Sequence, residues 1–406
     1  MPNFRTLDDL NARGKRVLVR LDLNLPIQNG QITDLSRLER SLPTLKELSS
    51  QGAKVIVMAH LGRPQGEDKS LTIAPIAQAL AKSMAPMPVR FCETSQGPLV
   101  EKAIDALHNG EILLLENIRF VEGEEKNDPV FAREMAQWGD IYVNDAFSTA
   151  HRAHVSTEGI AHFLPSYAGR LMEEELRALD RALGNPKRPL MAIVGGAKIS
   201  TKLPLLENLL SKVDILVIGG AMANTFLAAK GYNIGASLFE HDLLETARSL
   251  LAKAPEIILP EDVVVARNLE DQRSIETLFI PEVAGDQKIF DIGPLTCQHI
   301  LKKMKTCHTL LWNGPFGVFE TPPFDKGTTT VAKGAAQLTR EGSLLSVAGG
   351  GDTVAALIQA GVVDDFSYVS TAGGAFLEWL EGKTLPGVEA LSSSDSIREK
   401  MFENNK

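Results

Sequence analysis

Short apolar runs recur along this chain, each ended by a glycine-rich or charged turn, and this rhythm constrains the fold more than any other feature. Leu190 to Val194 (LMAIV) is one such run. A strand buried on both faces reads as a continuous apolar stretch, so the run fits a parallel sheet covered by helices on both sides. Gly195-Gly196 stop it where backbone without Cβ turns sharply or approaches a ligand. The leucines from Leu203 to Leu210 then supply a helix's buried face, with Ser200 or Thr201 as N-cap and Pro204 in the first turn. Lys198 and Lys202 flank that helix start, which brings free amides and positive charge to one point, as a phosphate requires. Taken alone, the stretch reads equally well as an ordinary βα turn with two solvated lysines.

The first half repeats the rhythm with charged turns. Lys15 to Leu21 leads into Asp22-Leu23-Asn24-Leu25-Pro26, and Arg37 follows near the first turn of a helix spanning about Asp34 to Ser50. Lys54 to Ala59 ends in His60-Leu61-Gly62-Arg63-Pro64. Glu111 to Glu116 is followed by Asn117 and Arg119, and Asp140 to Asn144 by Asp145 through His154, which includes Arg152. Polar side chains just beyond apolar runs mark a ligand site at the C-terminal ends of parallel strands. Tyr167 to Leu183 reads as one charged amphipathic linker helix, stopped by Gly184-Asn185-Pro186. In the second half the turns carry glycine: Gly219-Gly220, Asn313-Gly314-Pro315, Gly349-Gly350-Gly351-Asp352-Thr353 and Ala372-Gly373-Gly374. The contrast predicts a first half that grips a small charged molecule with side chains and a second that lays backbone against a nucleotide.

Composition bounds the remaining possibilities. A chain of 406 residues with 44% hydrophobic content accommodates two cores, and 42 basic against 51 acidic residues give a net charge of −9. No basic tail accompanies this balance, which argues against a nucleic-acid surface. Cys92, Cys297 and Cys307 lack CxxC spacing and suggest a reducing compartment without disulfides. The polar N-terminus and the absence of a membrane-length apolar run predict a cytoplasmic protein with no membrane contact. Neither GxxxxGK[ST] nor GxGxxG occurs, so P-loop and dinucleotide-dependent dehydrogenase readings lack their fingerprints. A two-lobed binding protein would share arginines and a cleft but would have no use for a glycine-rich nucleotide half.

The constellation of Arg37, Arg63, Arg119 and Arg152 can hold a phosphate and a carboxylate through forked hydrogen bonds. His60 is open between an interior histidine and a ligand contact. Asp352 reads as a helix N-cap, a Mg²⁺ ligand, or both. Glu320 by itself is a surface carboxylate.

These stretches, with Leu115-Glu116-Asn117-Ile118-Arg119-Phe120, Gly195-Gly196-Ala197-Lys198 and Trp312-Asn313-Gly314-Pro315, resemble the phosphoglycerate kinase family over essentially the whole chain. The resemblance implies an α/β protein of two Rossmann-like three-layer lobes with mainly parallel sheets, joined by a linker helix across a hinge cleft. It implies residues 1–168 as a 3-phosphoglycerate domain with tail 387–406 packing back on it, 169–186 as linker and 187–386 as nucleotide domain. Asp22, Asn24, Arg37, His60, Arg63, Arg119 and Arg152 correspond to the phosphoglycerate site. Gly195, Gly196, Ala197, Lys198, Lys202, Gly220, Asn313, Glu320, Gly349, Gly350, Gly351, Asp352 and Thr353 correspond to the nucleotide site, with Glu320 near the ribose, Asp352 on Mg²⁺ and Arg37 and Lys202 on the transferring group. The implied enzyme is a monomeric, cytoplasmic phosphotransferase moving phosphate between 1,3-bisphosphoglycerate and ADP. Ser148, Ala221 and Ala372 stand where the family usually has glycine, and altered affinity is the expected consequence.

Overall fold

The computed structural model describes residues 4–253, 256–283 and 285–392. The chain divides into two compact units, Met1–Leu176 with Thr384–Lys406, and Arg177–Lys383.

In the first unit, six parallel strands lie in the order Val89–Cys92, Ile112–Leu115, Lys54–Met58, Arg16–Leu21, Ile141–Asp145 and Ser166–Ala168. Side chains alternate between faces. Val17, Val19 and Leu21 therefore join Leu38, Leu45, Leu48, Ile76 and Leu80 of helices Ser36–Ser50 and Ala74–Met84. Leu18 joins Val100, Ile104, Phe131 and Met135 of helices Pro98–Asp105 and Pro129–Gln137 on the other side. Burying leucines of this kind stabilises the unit by about 1.5–3 kcal/mol each, and truncating Leu45 to alanine removes roughly 2–5 kcal/mol.

Tyr167 and Ala168, which the helical pattern assigns to the linker helix, instead form the end of the sixth strand. Pairing wins over periodicity here: Ala168 N–H donates to Arg5 O at 2.8 Å, and the Arg5 guanidinium lies 4.5 Å from the Tyr167 ring centre. The helix begins at Arg170 and runs to Leu179, then widens into a π-helical turn, Asp180–Gly184. Arg170 is tied at 2.7–2.8 Å to Asp8, Glu47 and Glu173, while Asp145 accepts from Met172 N–H at 3.1 Å. After Thr384 the chain meets the same unit: Gly387 N–H donates to Ala150 O at 2.9 Å, and Ala390 packs with the Leu18 core. Residues 393–406 of the expected tail lie outside the described residues.

The second unit holds six parallel strands in the order Ile257–Ile258, Ile215–Ile218, Leu190–Val194, Thr309–Asn313, Leu345–Gly349 and Tyr368–Ser370. A further three-stranded antiparallel sheet, Glu276–Phe279, Asp262–Ala266 and Lys288–Ile292, has no counterpart in the sequence reading. Val263 and Val265 point from one of its faces into a small core with Leu227, Ile234, Ile280 and Val283. The helix after Gly195-Gly196 spans Leu203–Leu210 with Lys202 at its N-cap, so neither Ser200 nor Thr201 caps it. Their polar groups are engaged elsewhere: Ser200 N–H donates to Glu240 at 3.1 Å and Thr201 Oγ1 to Lys198 O at 3.0 Å.

Candidate active site

The polar turns of the first unit follow four adjacent strands, Ile112–Leu115, Lys54–Met58, Arg16–Leu21 and Ile141–Asp145. Asp22, buried at the end of the central strand, organises two of them. Its carboxylate accepts from Arg37 at 3.0 and 3.3 Å, from Asn24 N–H at 3.1 Å and from Ser148 Oγ at 2.6 Å. The Ser148 hydroxyl thus fixes Asp22. Asn24 Oδ1 accepts from Gly62 N–H at 2.9 Å, and Arg119 donates to Gly62 O at 2.7 Å, which holds the His60–Arg63 turn from both sides.

Positive charge accumulates around these groups. Burial pulls the Arg119 guanidinium below its ordinary pKa, Glu125 opposes that, and Arg20 and Arg152 add to it. Burial, then Arg20, Arg119, His154 and Arg37, hold His60 well below its usual range, so its ring is neutral at pH 7. His154 is pushed down to about 4 by burial and then by Arg119, Arg20 and Arg152. Asp22, Asn24, Arg37, His60, Arg119 and Arg152 therefore share one electropositive region, with Arg152 Nε 3.3 Å from His151 Nε2. Arg63 is exposed and makes no hydrogen bond or ion pair among the described residues. Asp22 and Glu125 each hold one of these guanidinium groups, at 3.0 and 3.2 Å, and the surplus of forked donors suits a small molecule carrying two anionic groups.

The second unit's glycine turns interlock through main chain. At Gly314 (φ +100°) a Cβ would meet Gly195 O at 2.2 Å, and at Gly220 (φ +71°) it would meet Gly196 O at 2.4 Å. Three strand ends touch backbone to backbone, which only glycine permits. Asn313 and Thr353 lie behind them: Asn313 donates to Gly349 O at 2.8 Å, and Thr353 Oγ1 accepts from Gly314 N–H at 2.7 Å. Gly350 (φ +99°) is the N-cap of helix Gly351–Gln359, so Asp352 lies in the first turn rather than at the cap.

These turns open on a cavity of about 370 Å³ lined by Gly196, Ala197, Gly220, Glu320 and Asp352, all anticipated from sequence. Its other wall is the antiparallel strand Lys288–Ile292, which sequence reasoning missed because its modest alternation carries no ligand chemistry. Ala221 lines the cavity, whereas Ala372 is buried with its N–H donated to Ser370 Oγ at 3.2 Å. Lys198 is exposed. Lys202 is half-buried and donates to Asn313 Oδ1 at 2.5 Å; burial lowers its pKa, while the Asp352 and Glu381 charges raise it. No group of three or more His, Cys, Asp or Glu is arranged to hold a metal among the described residues. Asp352, on the cavity lining, instead suits Mg²⁺, which takes one or two carboxylates and completes its shell with phosphate and water oxygens.

No described helix is long and apolar enough to cross a membrane. Among relatives, the "Phosphoglycerate kinase" of Chelativorans sp. (strain BNC1) is 58% identical over 397 residues, covering 96% of this chain and 100% of that protein. That of Brucella abortus is 56% identical over 397 residues, covering 96% and 99%. Of solved structures, phosphoglycerate kinase from Coxiella burnetii superposes with a TM-score of 0.90 at 43% identity, covering 96% of this chain and 99% of that one. The Pyrococcus horikoshii enzyme gives 0.78 at 31%, covering 97% and 100%. The family model described as phosphoglycerate kinase matches residues 7–383, and with an arginine-lined strand edge in one unit and a glycine-lined cavity in the other, this chain belongs to the phosphoglycerate kinase family.

Proposed function

We infer that the chain works as its family does: it reversibly transfers phosphate from 1,3-bisphosphoglycerate to ADP, giving 3-phosphoglycerate and ATP in glycolysis. The observation that carries this reading is the pairing of an electropositive strand edge with a separate glycine-lined cavity of nucleotide dimensions.

Asp22, Asn24, Arg37, His60, Arg63, Arg119 and Arg152 bind the phosphoglycerate, the arginines taking its anionic groups. The carboxylate that accepts phosphate in the reverse direction is already ionised at neutral pH, so no general base is needed. This agrees with a neutral His60 that has no aspartate partner among the described residues. Positioning and charge neutralisation then supply most of the rate. Gly196, Ala197, Gly220 and Glu320 receive the nucleotide, Lys198 and the glycine-turn amides its phosphates, and Arg37 and Lys202 the transferring group. Asp352 would hold Mg²⁺, which neutralises phosphate charge when bound. Direct in-line transfer between ligands held by separate units requires a hinge, and the 169–186 linker is its natural place. We read the protein as a cytoplasmic monomer that engages no nucleic acid. ATP-dependent formation of an acyl phosphate from 3-phosphoglycerate, with magnesium omitted as control, tests the reaction; no acyl phosphate in the complete mixture overturns it.

A further inference from the structure

Arg20 is the one charged residue of the central strand's buried stretch, lying on the same sheet face as Leu18 and wholly enclosed. Its three nitrogens are all engaged: Nε donates to Ser156 Oγ at 2.8 Å, one Nη to Leu21 O, and the other meets His60 Nδ1 at 3.0 Å. Ser156 in turn donates its hydroxyl to Glu124, also wholly buried, which additionally accepts from Ser156 N–H at 2.9 Å.

The protons of this chain can run in only one direction. A guanidinium has donors and no acceptor, so both Ser156 Oγ and His60 Nδ1 must accept from it. Ser156 then has its own proton to give, and the Glu124 carboxylate takes it. At the other end His60, with Nδ1 accepting, must carry its single proton on Nε2. That nitrogen has no protein partner among the described residues, and unlike His154 Nδ1 it is not one of the sealed atoms without a hydrogen-bond partner.

We propose that Arg20 is a positioning residue: held by the Ser156–Glu124 arm, it locks the neutral His60 ring with its proton on Nε2, making His60 an obligate one-proton donor to an acceptor oxygen of the bound phosphoglycerate. This deepens the reading of the arginine-lined edge as that molecule's site and rests on it. The charged and titratable groups facing His60, namely Arg20, Arg119, His154 and Arg37, all oppose a second proton on its ring. His60 is thus a directional contact rather than a cation or a base, and it discriminates for an oxygen acceptor at its position.

The test reads the tautomer directly in the ligand-free protein. Histidine-selective ¹⁵N labelling with long-range ¹H–¹⁵N correlation, assigned by the peak lost in His60→Gln, should show an unprotonated Nδ1 and a protonated Nε2 from pH 6 to 8. A proton on Nδ1, or an imidazolium pattern in that range, overturns the proposal whether or not the enzyme is active. Because this measurement uses the unaltered chain, it stands even if Arg20 variants fold poorly. Arg20→Lys keeps the buried charge opposite Glu124 but loses the fork, so His60 should become a tautomer mixture. The KM for 3-phosphoglycerate should rise on the order of 10-fold, the KM for MgATP staying within about twofold, as expected when a contact's supporting partner is lost. In the Arg20→Lys/His60→Gln pair the effects on that KM should be non-additive; full additivity means that Arg20 does not act through His60. If the tautomer is as stated but 3-phosphoglycerate neither binds nor reacts, the functional reading fails while the proton assignment survives.

Discussion

Two glycines of the second unit's turns separate what the protein needs from what its ligand needs. Gly314 has φ +100°, and a Cβ there would lie 2.2 Å from Gly195 O and 2.5 Å from Gly195 C. Gly351, the first residue of helix Gly351–Gln359, has ordinary backbone and nothing within 4 Å of a Cβ position. Gly314→Ala combines a disfavoured φ, about 1–2 kcal/mol, with overpacking of main chain that cannot retreat, about 1–3 kcal/mol. The sum, roughly 2–5 kcal/mol, lowers the melting temperature by about 4–20 °C for a unit of this size. Gly351→Ala should instead be neutral or stabilising by about 0.4–1 kcal/mol. If the turn lays bare backbone against nucleotide phosphates, the same methyl should weaken MgADP binding by about 1–3 kcal/mol, some 5- to 150-fold. Scanning calorimetry gives the first quantity and titration calorimetry with MgADP the second. A Gly351→Ala protein that is stable and binds MgADP normally would refute the idea that this turn cradles the nucleotide.

Other variants probe the remaining parts. Ser148→Gly deletes the 2.6 Å donor to Asp22, a charge-assisted bond worth about 1.5–3 kcal/mol; the KM for 3-phosphoglycerate should rise about tenfold or more while that for MgATP holds, and an unchanged KM would show that Asp22 needs no such support. Lys202→Ala should lower turnover far more than MgADP affinity, and normal turnover would remove Lys202 from the transition state. Burial raises Asp145 from 3.8 to about 6, against donors from Thr44, Met172 and Leu171. Its protonated form favours folding, a contribution fully present below pH 3.8 and lost as pH rises through 6, roughly 3 kcal/mol in all. Asp145→Asn should therefore flatten urea midpoints across that window, and an unchanged slope would assign it to other groups. Small-angle scattering with and without both substrates should show a smaller radius in the ternary complex; an unchanged radius counts against hinge closure.

Strand positions were legible because both faces of each parallel sheet are covered: the runs at Leu190–Val194, Ile112–Leu115 and Arg16–Leu21 are apolar enough to stand out without a periodicity argument. Arg63 and Arg119 were legible because they follow such runs within a few residues, and Arg37 because it opens the helix after one. What escaped lies where tertiary context decides. Tyr167 and Ala168 fit a helical stripe but find strand partners in Val143, Asn144 and Arg5. The Lys288–Ile292 strand reaches the glycine-lined cavity through a fold-back invisible to local pattern. Arg20 sits inside an apolar run like any tolerated polar residue, and only the coordinates bring Ser156, more than a hundred positions later, to its Nε. Lys202 was rightly located at a helix start, yet the cap signals of Ser200 and Thr201 misled because Glu240 and Lys198 O claim them.

The short return from Thr384 has a consequence for how the protein is made. Gly387 closes on Ala150, within the turn that carries Ser148 and Arg152, and its own Cα leaves room for no more than that contact, since a Cβ would lie 3.0 Å from Ala150 Cα. A nascent chain released from the ribosome only as far as Lys383 already contains every strand of the later-synthesised unit but not the segment that completes the earlier one. The Gly387–Ala150 contact can therefore form only after the whole of the second unit has been synthesised, although both residues belong to the first.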